Sequence, residues 1–250
     1  MQIEGIQAVV TGGASGLGEA SARMLARAGA DVTIFDMNAE RGKVVAREIG
    51  GQYRNVDVSD HASVADGLTG LSARICVNCA GIAPGAKTVD RDGNAHNAAL
   101  FAKAININLI GTFNVASQCA AQMVAATPLD EDGSRGVIIN TASVAAFEGQ
   151  IGQTAYAASK GGVAALTLPM ARDLSRNGVR VVGIAPGLFL TPMLEGLPQE
   201  VQDSLGAQAP FPARLGKPEE YAQLVKHIVE NPMLNGEVIR LDAAIRMSPK

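Results

Sequence analysis

Tryptophan is absent from this chain, and positive charge is not in excess. The 250 residues carry 21 lysines and arginines against 24 aspartates and glutamates, a formal net charge of -3. Proteins that bind nucleic acid or an anionic membrane surface usually present a basic patch, because such a patch neutralises phosphate groups. The composition therefore indicates no nucleic-acid and no membrane partner.

Cysteine and histidine are also scarce. Cys76, Cys79 and Cys119 are the three cysteines, a number that favours a reducing compartment over a disulfide framework. Cys76 and Cys79 have Cys-x-x-Cys spacing, but they lie in an apolar run of strand type, whereas a thioredoxin-like pair opens a helix. The three histidines are far apart in the sequence, so we expect no metal site.

Long apolar runs and a basic leader are missing as well. No uninterrupted apolar run reaches the ~18 residues that cross a bilayer. The first residues lead into a strand-like run without a basic or Arg-rich leader, which favours a cytoplasmic location. Hydrophobic residues make up 47% of the chain and no linker-like stretch divides it, so we expect one globular domain over residues 1–250.

Strand-like and helix-like patterns alternate along the chain. Strand-like runs lie at residues 6–10, 31–35, 52–56, 74–78, 136–142, 179–185 and 235–241. Helical patterns separate them without hairpin turn signals in the first half, an alternation that is typical of a parallel sheet. The sequence predicts an α/β fold of Rossmann type, with a doubly wound parallel sheet of about seven strands and helices on both faces.

Two long helices and one long irregular segment distinguish the second half. The helices are predicted at residues 98–126, with an interruption near the middle, and at residues 153–177. Residues 188–212 are rich in Pro, Leu and Phe. Their length is typical of a lid over a substrate, although a plain surface excursion has the same composition.

The first strand runs into the glycine loop TGGASGLG, residues 11–18, and then into a helical pattern. Glycines let the backbone approach a phosphate, and the N–H groups and positive dipole of a helix start favour an anion. The spacing of Gly12, Gly16 and Gly18 differs from the G-x-G-x-x-G fingerprint, and an isolated glycine loop is often only a turn. The flanking strand and helix favour a phosphate site.

The second strand is followed by Asp36, about twenty residues beyond the glycine loop. An acidic residue there accepts hydrogen bonds from the ribose hydroxyls of an adenine dinucleotide. Its charge would repel a 2′-phosphate, and neither Met37 nor Ala14 supplies a cation. We therefore expect NAD rather than NADP, the alternative being a solvated aspartate at a strand end. Asp57 and Val58 close the third strand at the same edge, where an adenine could bind.

A serine, a tyrosine and a lysine within residues 143–160 are the candidates for catalysis. Tyr156 and Lys160 are four residues apart in a helical pattern, so both side chains lie on one face. A nearby ammonium lowers the tyrosine pKa from near ~10 and makes the phenolate usable for proton transfer. Ser143 follows a strand, where its hydroxyl can hold the same substrate oxygen. Alone, Tyr-x-x-x-Lys more often marks two neighbours on a solvated helix face.

Asn106, Asn108 and Asn114 interrupt the apolar pattern of the first long helix. Such residues ordinarily pair with backbone groups. Alternatively, one of them bends the helix and holds a water near the active site. The sequence leaves both interpretations open.

In order and spacing, these features resemble the short-chain dehydrogenase/reductase family over the whole chain. The resemblance implies that Tyr156 is the acid/base, and that Lys160 lowers its pKa and binds the nicotinamide ribose. It implies that Ser143 orients the substrate oxygen and that Asn108 holds a relay water. The residues implied in cofactor contact are Gly12, Ser15, Gly16, Leu17, Gly18, Asp36, Asp57, Val58, Asn78, Cys79, Ala80, Gly81, Tyr156, Lys160, Pro186, Gly187, Phe189 and Thr191.

Longer segments, among them RGVIINTASVAAFEGQ and NPMLNGEVIRLD, resemble the type-2 3-hydroxyacyl-CoA dehydrogenase group of that family. The implied reaction moves hydride between NAD and the 3-hydroxy/3-oxo group of an acyl-CoA in fatty acid metabolism, with Ser143, Gln150 and Tyr156 near the substrate. Alternatives are a 3-oxoacyl carrier-protein reductase, an alcohol or hydroxysteroid dehydrogenase, and a binding protein that has lost turnover. The two long helices would pair between subunits of a homotetramer.

Overall fold

A computed structural model describes residues 1–249, and in that part of the chain seven strands form one sheet. The strand order is β3-β2-β1-β4-β5-β6-β7, and every neighbouring pair is parallel. The strands are β1 (Gln7–Thr11), β2 (Asp31–Asp36), β3 (Gln52–Asn55), β4 (Ile75–Asn78), β5 (Gly136–Thr141), β6 (Val179–Pro186) and β7 (Val238–Leu241). The prediction of a doubly wound parallel sheet of about seven strands is confirmed.

Helices connect the strands. They are α1 (Gly16–Arg27), α2 (Ala39–Glu48), α3 (His61–Leu68), α4 (Ala98–Ile105), α5 (Gly111–Ala125), α6 (Thr154–Asp173), α7 (Pro192–Glu195), α8 (Gln199–Gly206) and α9 (Pro218–Glu230). A π-helical turn, Asn106–Ile110, joins α4 to α5, and short 3-10 turns lie at Val144–Ala146 and Ser175–Asn177. The predicted interruption of the first long helix is therefore the π-helical turn.

Alternate residues of each strand enter two separate cores. In β1, Ala8 and Val10 pack with side chains of α1, α2 and α9, whereas Val9 packs with those of α3, α5 and α6. Successive strand side chains point to opposite faces, so a strand covered on both sides is apolar throughout. This explains the unbroken apolar runs of the sequence, and it confirms helices on both faces.

The last strand is shorter than predicted. Residues 235–237 precede it as a turn, because Gly236 adopts a positive φ of 75° and the Asn235 side chain accepts a hydrogen bond from the Val181 N–H (2.9 Å). The other strand boundaries agree with the sequence patterns to within about two residues.

The α4–α5 helix, Ala98–Ala125, is long and apolar enough in mean hydropathy (1.3) to cross a membrane by length and composition. Counting uninterrupted apolar runs overlooks it, because Lys103 and the asparagines break the run. The helix packs against β4, β5 and α3, and Asn108 and Thr112 are buried within it. The core helix of a soluble protein passes the same test.

Candidate active site

The glycine loop lies where β1 ends, beside the point at which the chain order of the sheet reverses between β1 and β4. A Cβ on Gly18 would lie 2.2 Å from the Gly12 carbonyl oxygen, and one on Gly12 would lie 2.9 Å from the Ala80 nitrogen. The loop is thus folded too tightly for side chains at these positions. Ser15 is the N-cap residue of α1, but its side chain makes no capping hydrogen bond. The N–H groups at the start of α1 suit a phosphate-bearing ligand.

Asp36 ends β2 and closes over the glycine loop. One carboxylate oxygen accepts a hydrogen bond from the Ala14 N–H (3.0 Å) and the other from the Asn38 N–H (2.9 Å). The Asp36 carboxylate is therefore held at the loop by backbone donors. Sequence analysis did not identify Arg41 as a neighbour of the glycine loop. Its guanidinium forms an ion pair with Glu19 in the first turn of α1 (2.7 Å).

The loop after β3 forms the next part of this edge. The Asp57 carboxylate accepts hydrogen bonds from the Ser59 N–H (2.9 Å) and hydroxyl (2.7 Å). The Val58 carbonyl accepts one from the Asn114 side chain (3.0 Å). Of the two interpretations left open for the three asparagines, Asn114 therefore fits the first, a side chain that pairs with a backbone group.

Residues 78–81, NCAG, begin with the last residue of β4 and lie against the glycine loop. The backbone N–H groups of Cys79 and Ala80 both donate to the Thr11 hydroxyl, each at 3.1 Å. Cys76 is buried in one core, whereas Cys79 packs against the other. As expected, the Cys-x-x-Cys pair is divided between opposite faces of the sheet.

Asn108 lies in the π-helical turn and connects the loop after β4 to α6. Its amide nitrogen donates to the Ile82 carbonyl (2.8 Å) and the Ser159 hydroxyl (2.9 Å), and its amide oxygen accepts from the Ile82 N–H (2.8 Å). Both amide protons are therefore used by protein groups. The relay water stays a prediction, and it would have to bind through another atom than the amide nitrogen.

Tyr156, Lys160 and Ser143 converge as the sequence predicts. Tyr156 and Lys160 lie one turn apart on α6, and the Lys160 Nζ atom is 5.9 Å from the centroid of the Tyr156 ring. Ser143 lies two residues beyond β5 and begins the 3-10 turn, where its hydroxyl accepts a hydrogen bond from the Ala145 N–H (3.1 Å). The Lys160 ammonium donates to the main-chain carbonyl of Thr141 (2.7 Å).

The segment after β6 first passes through the core at Phe189 and then reaches the glycine loop at Thr191. A Cβ on Gly16 would lie 3.6 Å from the Cβ of Thr191. The ring of Phe189 is 7% exposed and packs edge-to-face on Tyr221 at 6.5 Å between centroids. The ring of Phe189 therefore belongs to the core, and cofactor contact through Phe189 stays a prediction. Pro186 ends β6, and Gly187 follows it at the same edge.

The predicted lid, residues 188–212, contains α7 and α8. A cavity of about 260 Å³ lies between its two ends and β7, with Phe189, Pro212, Leu241 and Ile245 in its wall. The role of the segment as a lid stays a prediction.

Gln150, predicted near the substrate, lies under the C-terminal segment. Its side-chain nitrogen donates to the Ser248 carbonyl (2.9 Å), and the neighbouring Ile151 N–H donates to the Pro249 carbonyl (3.0 Å). Substrate contact through Gln150 stays a prediction.

The model of the family described as "short chain dehydrogenase" matches residues 7–202. The chain belongs to this family. It is 51% identical to the 3-hydroxyacyl-CoA dehydrogenase type-2 of Rattus norvegicus, over 99% of this chain and 97% of that protein. A 3-hydroxyacyl-CoA dehydrogenase type-2 from Mycobacterium avium superposes with a TM-score of 0.95 at 44% identity, over 100% of this chain and 99% of the other. The 3-oxoacyl-[acyl-carrier-protein] reductase FabG of Thermotoga maritima is 32% identical over 98% of this chain and 99% of its own.

As a short-chain dehydrogenase, the chain is an oxidoreductase, and burial shifts the pKa values of two of its site residues. Burial raises the pKa of Tyr156, and a hydrogen bond with Ser143 opposes that rise. Burial also lowers the pKa of Lys160 from its ordinary value of 10.5 to about 8. The role of Lys160 in lowering the Tyr156 pKa stays a prediction: the net shift in the chain alone is upward, because desolvation of the phenolate dominates.

A protonated Tyr156 is suited to donate a proton to a substrate oxygen. A nicotinamide dinucleotide supplies hydride chemistry, and the glycine loop, Asp36 and residues 78–81 would hold it. The Ser143 hydroxyl, 6% exposed, can orient the substrate oxygen towards the tyrosine. The Lys160 ammonium favours negative charge on the Tyr156 oxygen once the proton has left. In the opposite direction, the same oxygen accepts the proton of an alcohol.

Replacing Lys160 with methionine is expected to reduce activity while raising the stability of the cofactor-free protein. The pKa of the Lys160 ammonium is about 8 in the folded chain and 10.5 in the unfolded chain. Below pH 8 the folded chain therefore carries the whole cost of a buried charge, and stability rises with pH between these two values. We expect Lys160→Met to increase the free energy of unfolding near pH 7 by ~1–3 kcal/mol, and by less near pH 10. Urea unfolding at both pH values measures this, and a less stable variant near pH 7 would contradict it.

Proposed function

We propose that this short-chain dehydrogenase catalyses reversible hydride transfer between NAD and the 3-hydroxy/3-oxo group of an acyl-CoA. The observation that carries the reaction is the convergence of Ser143, Tyr156 and Lys160 at the sheet edge that holds the glycine loop. The acyl-CoA substrate is supported by similarity over almost the whole chain to proteins named 3-hydroxyacyl-CoA dehydrogenase type-2. Such a reaction belongs to fatty acid metabolism.

The choice of NAD is supported by the position of Asp36. Its carboxylate is fixed at the glycine loop by two backbone N–H groups. A carboxylate in that place can accept hydrogen bonds from ribose hydroxyls, whereas a 2′-phosphate would meet like charge. The 3-oxoacyl carrier-protein reductase remains the alternative, and it predicts a preference for NADPH.

A substrate panel tests the proposal. Initial rates are measured with acetoacetyl-CoA, acetoacetyl-acyl carrier protein, a hydroxysteroid and a simple secondary alcohol, each with both cofactors in the matching redox state. The proposal expects the highest kcat/KM for acetoacetyl-CoA with NADH. Preference for the carrier-protein thioester with NADPH would replace it by the alternative, and no turnover of any substrate would favour a binding protein.

We propose a homotetramer, because apolar side chains of the long helices are exposed in the single chain. Phe101, Ile110 and Phe113 on the α4–α5 helix are 37%, 43% and 50% exposed, and Leu168 on α6 is 43% exposed. Exposed apolar side chains along long helices are typical of subunit contacts.

A cytoplasmic location is proposed as well, and it is supported by the three free thiols.

Replacing Phe113 with glutamate is expected to dissociate the assembly, because a charge at a subunit contact cannot be desolvated without a partner. Sedimentation at micromolar concentration should give a tetramer for the unmodified chain and smaller species for Phe113→Glu. Leu129→Glu is the matched control, since Leu129 is 39% exposed in the loop between α5 and β5. A monomeric unmodified chain would contradict the proposal.

A further inference from the structure

Tyr221 lies on α9, away from the catalytic helix, yet its hydroxyl reaches the end of β5. The side chain is fully buried, with 0% exposure. Its hydroxyl lies 2.7 Å from the Thr141 hydroxyl and 3.7 Å from the Cys79 sulfur. A buried hydroxyl needs a partner, and this one finds its partner two residues before Ser143.

Counting protons fixes the direction of these hydrogen bonds. The Thr141 hydroxyl lies 2.6 Å from the Asn78 main-chain carbonyl, which can only accept. Thr141 therefore donates its single proton to Asn78, with the Cys79 sulfur at 3.5 Å as a weaker second acceptor. The proton between Thr141 and Tyr221 must come from Tyr221. The chain of hydrogen bonds runs from α9 through β5 to β4.

The main-chain carbonyl of Thr141 links these hydrogen bonds to Lys160. The Thr141 carbonyl accepts the hydrogen bond of the Lys160 ammonium at 2.7 Å. Lys160 is 5% exposed, and a buried ammonium depends strongly on the few acceptors within reach. The N–H of the same peptide group donates to the Ile184 carbonyl (2.7 Å), and the hydrogen bonds of the Thr141 hydroxyl anchor the Cα atom from which the acceptor carbonyl extends.

We propose that Tyr221 is a positioning residue for catalysis: its hydroxyl fixes Thr141, whose carbonyl holds the Lys160 ammonium beside Tyr156. The inference rests on the proposed function, since it assigns a role in that reaction. Of the described titratable groups, Cys79 and Tyr156 also face Lys160, and the proposal leaves both in place. A merely structural Tyr221 would affect stability without affecting Lys160.

The first test needs no substrate. Lysine labelled at Cε is followed by NMR over pH, with the Lys160 signal assigned by its loss in Lys160→Met. Tyr221→Phe removes the hydroxyl and keeps the ring that packs on Phe189. Losing an ordered acceptor disfavours the ammonium, so we expect the Lys160 pKa to fall by ~0.5–1 pH unit.

Variants of Thr141 separate positioning from simple destabilisation. Thr141→Val removes the linking hydroxyl and should lower the Lys160 pKa as Tyr221→Phe does, whereas Thr141→Ser keeps a hydroxyl and should restore it. The double variant Tyr221→Phe/Thr141→Val should behave like Thr141→Val alone, because both changes break one chain of hydrogen bonds. Thr167→Val is the control, since it removes a buried hydroxyl that donates to the Val163 carbonyl of its own helix (3.1 Å).

The second test measures acetoacetyl-CoA reduction over pH. In Tyr221→Phe, kcat should fall by roughly threefold to tenfold and its alkaline limb should move to lower pH, with the KM for NADH nearly unchanged. A Lys160 pKa equal to that of the unmodified chain in folded Tyr221→Phe overturns the inference. So does a shift of the same size in Thr167→Val. If the unmodified chain shows no turnover, the proposed function is refuted instead. The NMR test of Lys160 does not depend on turnover.

Discussion

Replacing Tyr156 with phenylalanine is expected to lower kcat for acetoacetyl-CoA reduction by ~10²–10⁴-fold, the usual contribution of a positioned general acid or base. The substitution removes one oxygen, and with it the only described phenol beside both Ser143 and Lys160. The Tyr156 pKa is raised by burial, so the unmodified side chain is a proton donor at neutral pH. Stopped-flow measurement of the hydride step separates this loss from slow product release.

Cofactor binding provides the control for Tyr156→Phe. NADH fluorescence, excited at wavelengths where protein side chains do not absorb, measures this binding directly. Binding of NADH should be retained within a few-fold, because the glycine loop and Asp36 lie on other elements. A variant that binds NADH and still turns over near the normal rate would refute the assignment of Tyr156.

Replacing Asp36 with alanine is expected to change cofactor preference by well over tenfold. The change removes the acceptor for the ribose hydroxyls and also the charge that opposes a 2′-phosphate, so kcat/KM should fall for NADH and rise for NADPH. Adding Met37→Arg should favour NADPH further by pairing with the phosphate. The measured quantity is the ratio of the two kcat/KM values in each variant.

Asp31→Ala is the matched control, because Asp31 begins the same strand that Asp36 ends. It removes one carboxylate from β2 at the opposite edge of the sheet, so the ratio should not change. An unchanged ratio in Asp36→Ala, or an unmodified chain that prefers NADPH, would show that Asp36 does not select the cofactor. The hydrogen bond that Asp36 accepts from the Ala14 N–H will also be lost, and a lower melting temperature is expected with it.

The sheet and the position of its catalytic edge could be predicted because their signals are local. Glycine spacing, strand periodicity and the four-residue interval between Tyr156 and Lys160 are each set within a short stretch of chain. The carboxyl ends of parallel strands meet at one edge, so the glycine loop, Asp36 and Ser143 follow from strand order alone. The interruption of the long helix was also visible, in the run of asparagines.

Contacts between distant elements could not be predicted in this way. The pairing of Tyr221 with Thr141 joins residues 80 positions apart, and no pattern in either segment announces it. The burial of individual side chains could not be predicted from the sequence either. A tyrosine four residues from a lysine suggests a lowered pKa, but the sequence does not show how strongly burial opposes that effect. The burial of Phe189 likewise depends on α9, which lies later in the chain.

The most direct measurement is kcat/KM of the unmodified chain for acetoacetyl-CoA with NADH and with NADPH, beside the same pair for acetoacetyl-acyl carrier protein. Turnover depends on the catalytic residues, the thioester comparison depends on the substrate assignment, and the cofactor ratio depends on Asp36. We predict that acetoacetyl-CoA with NADH gives the highest value, well over tenfold above the same substrate with NADPH. Higher values for the carrier-protein thioester with NADPH would contradict the proposed function.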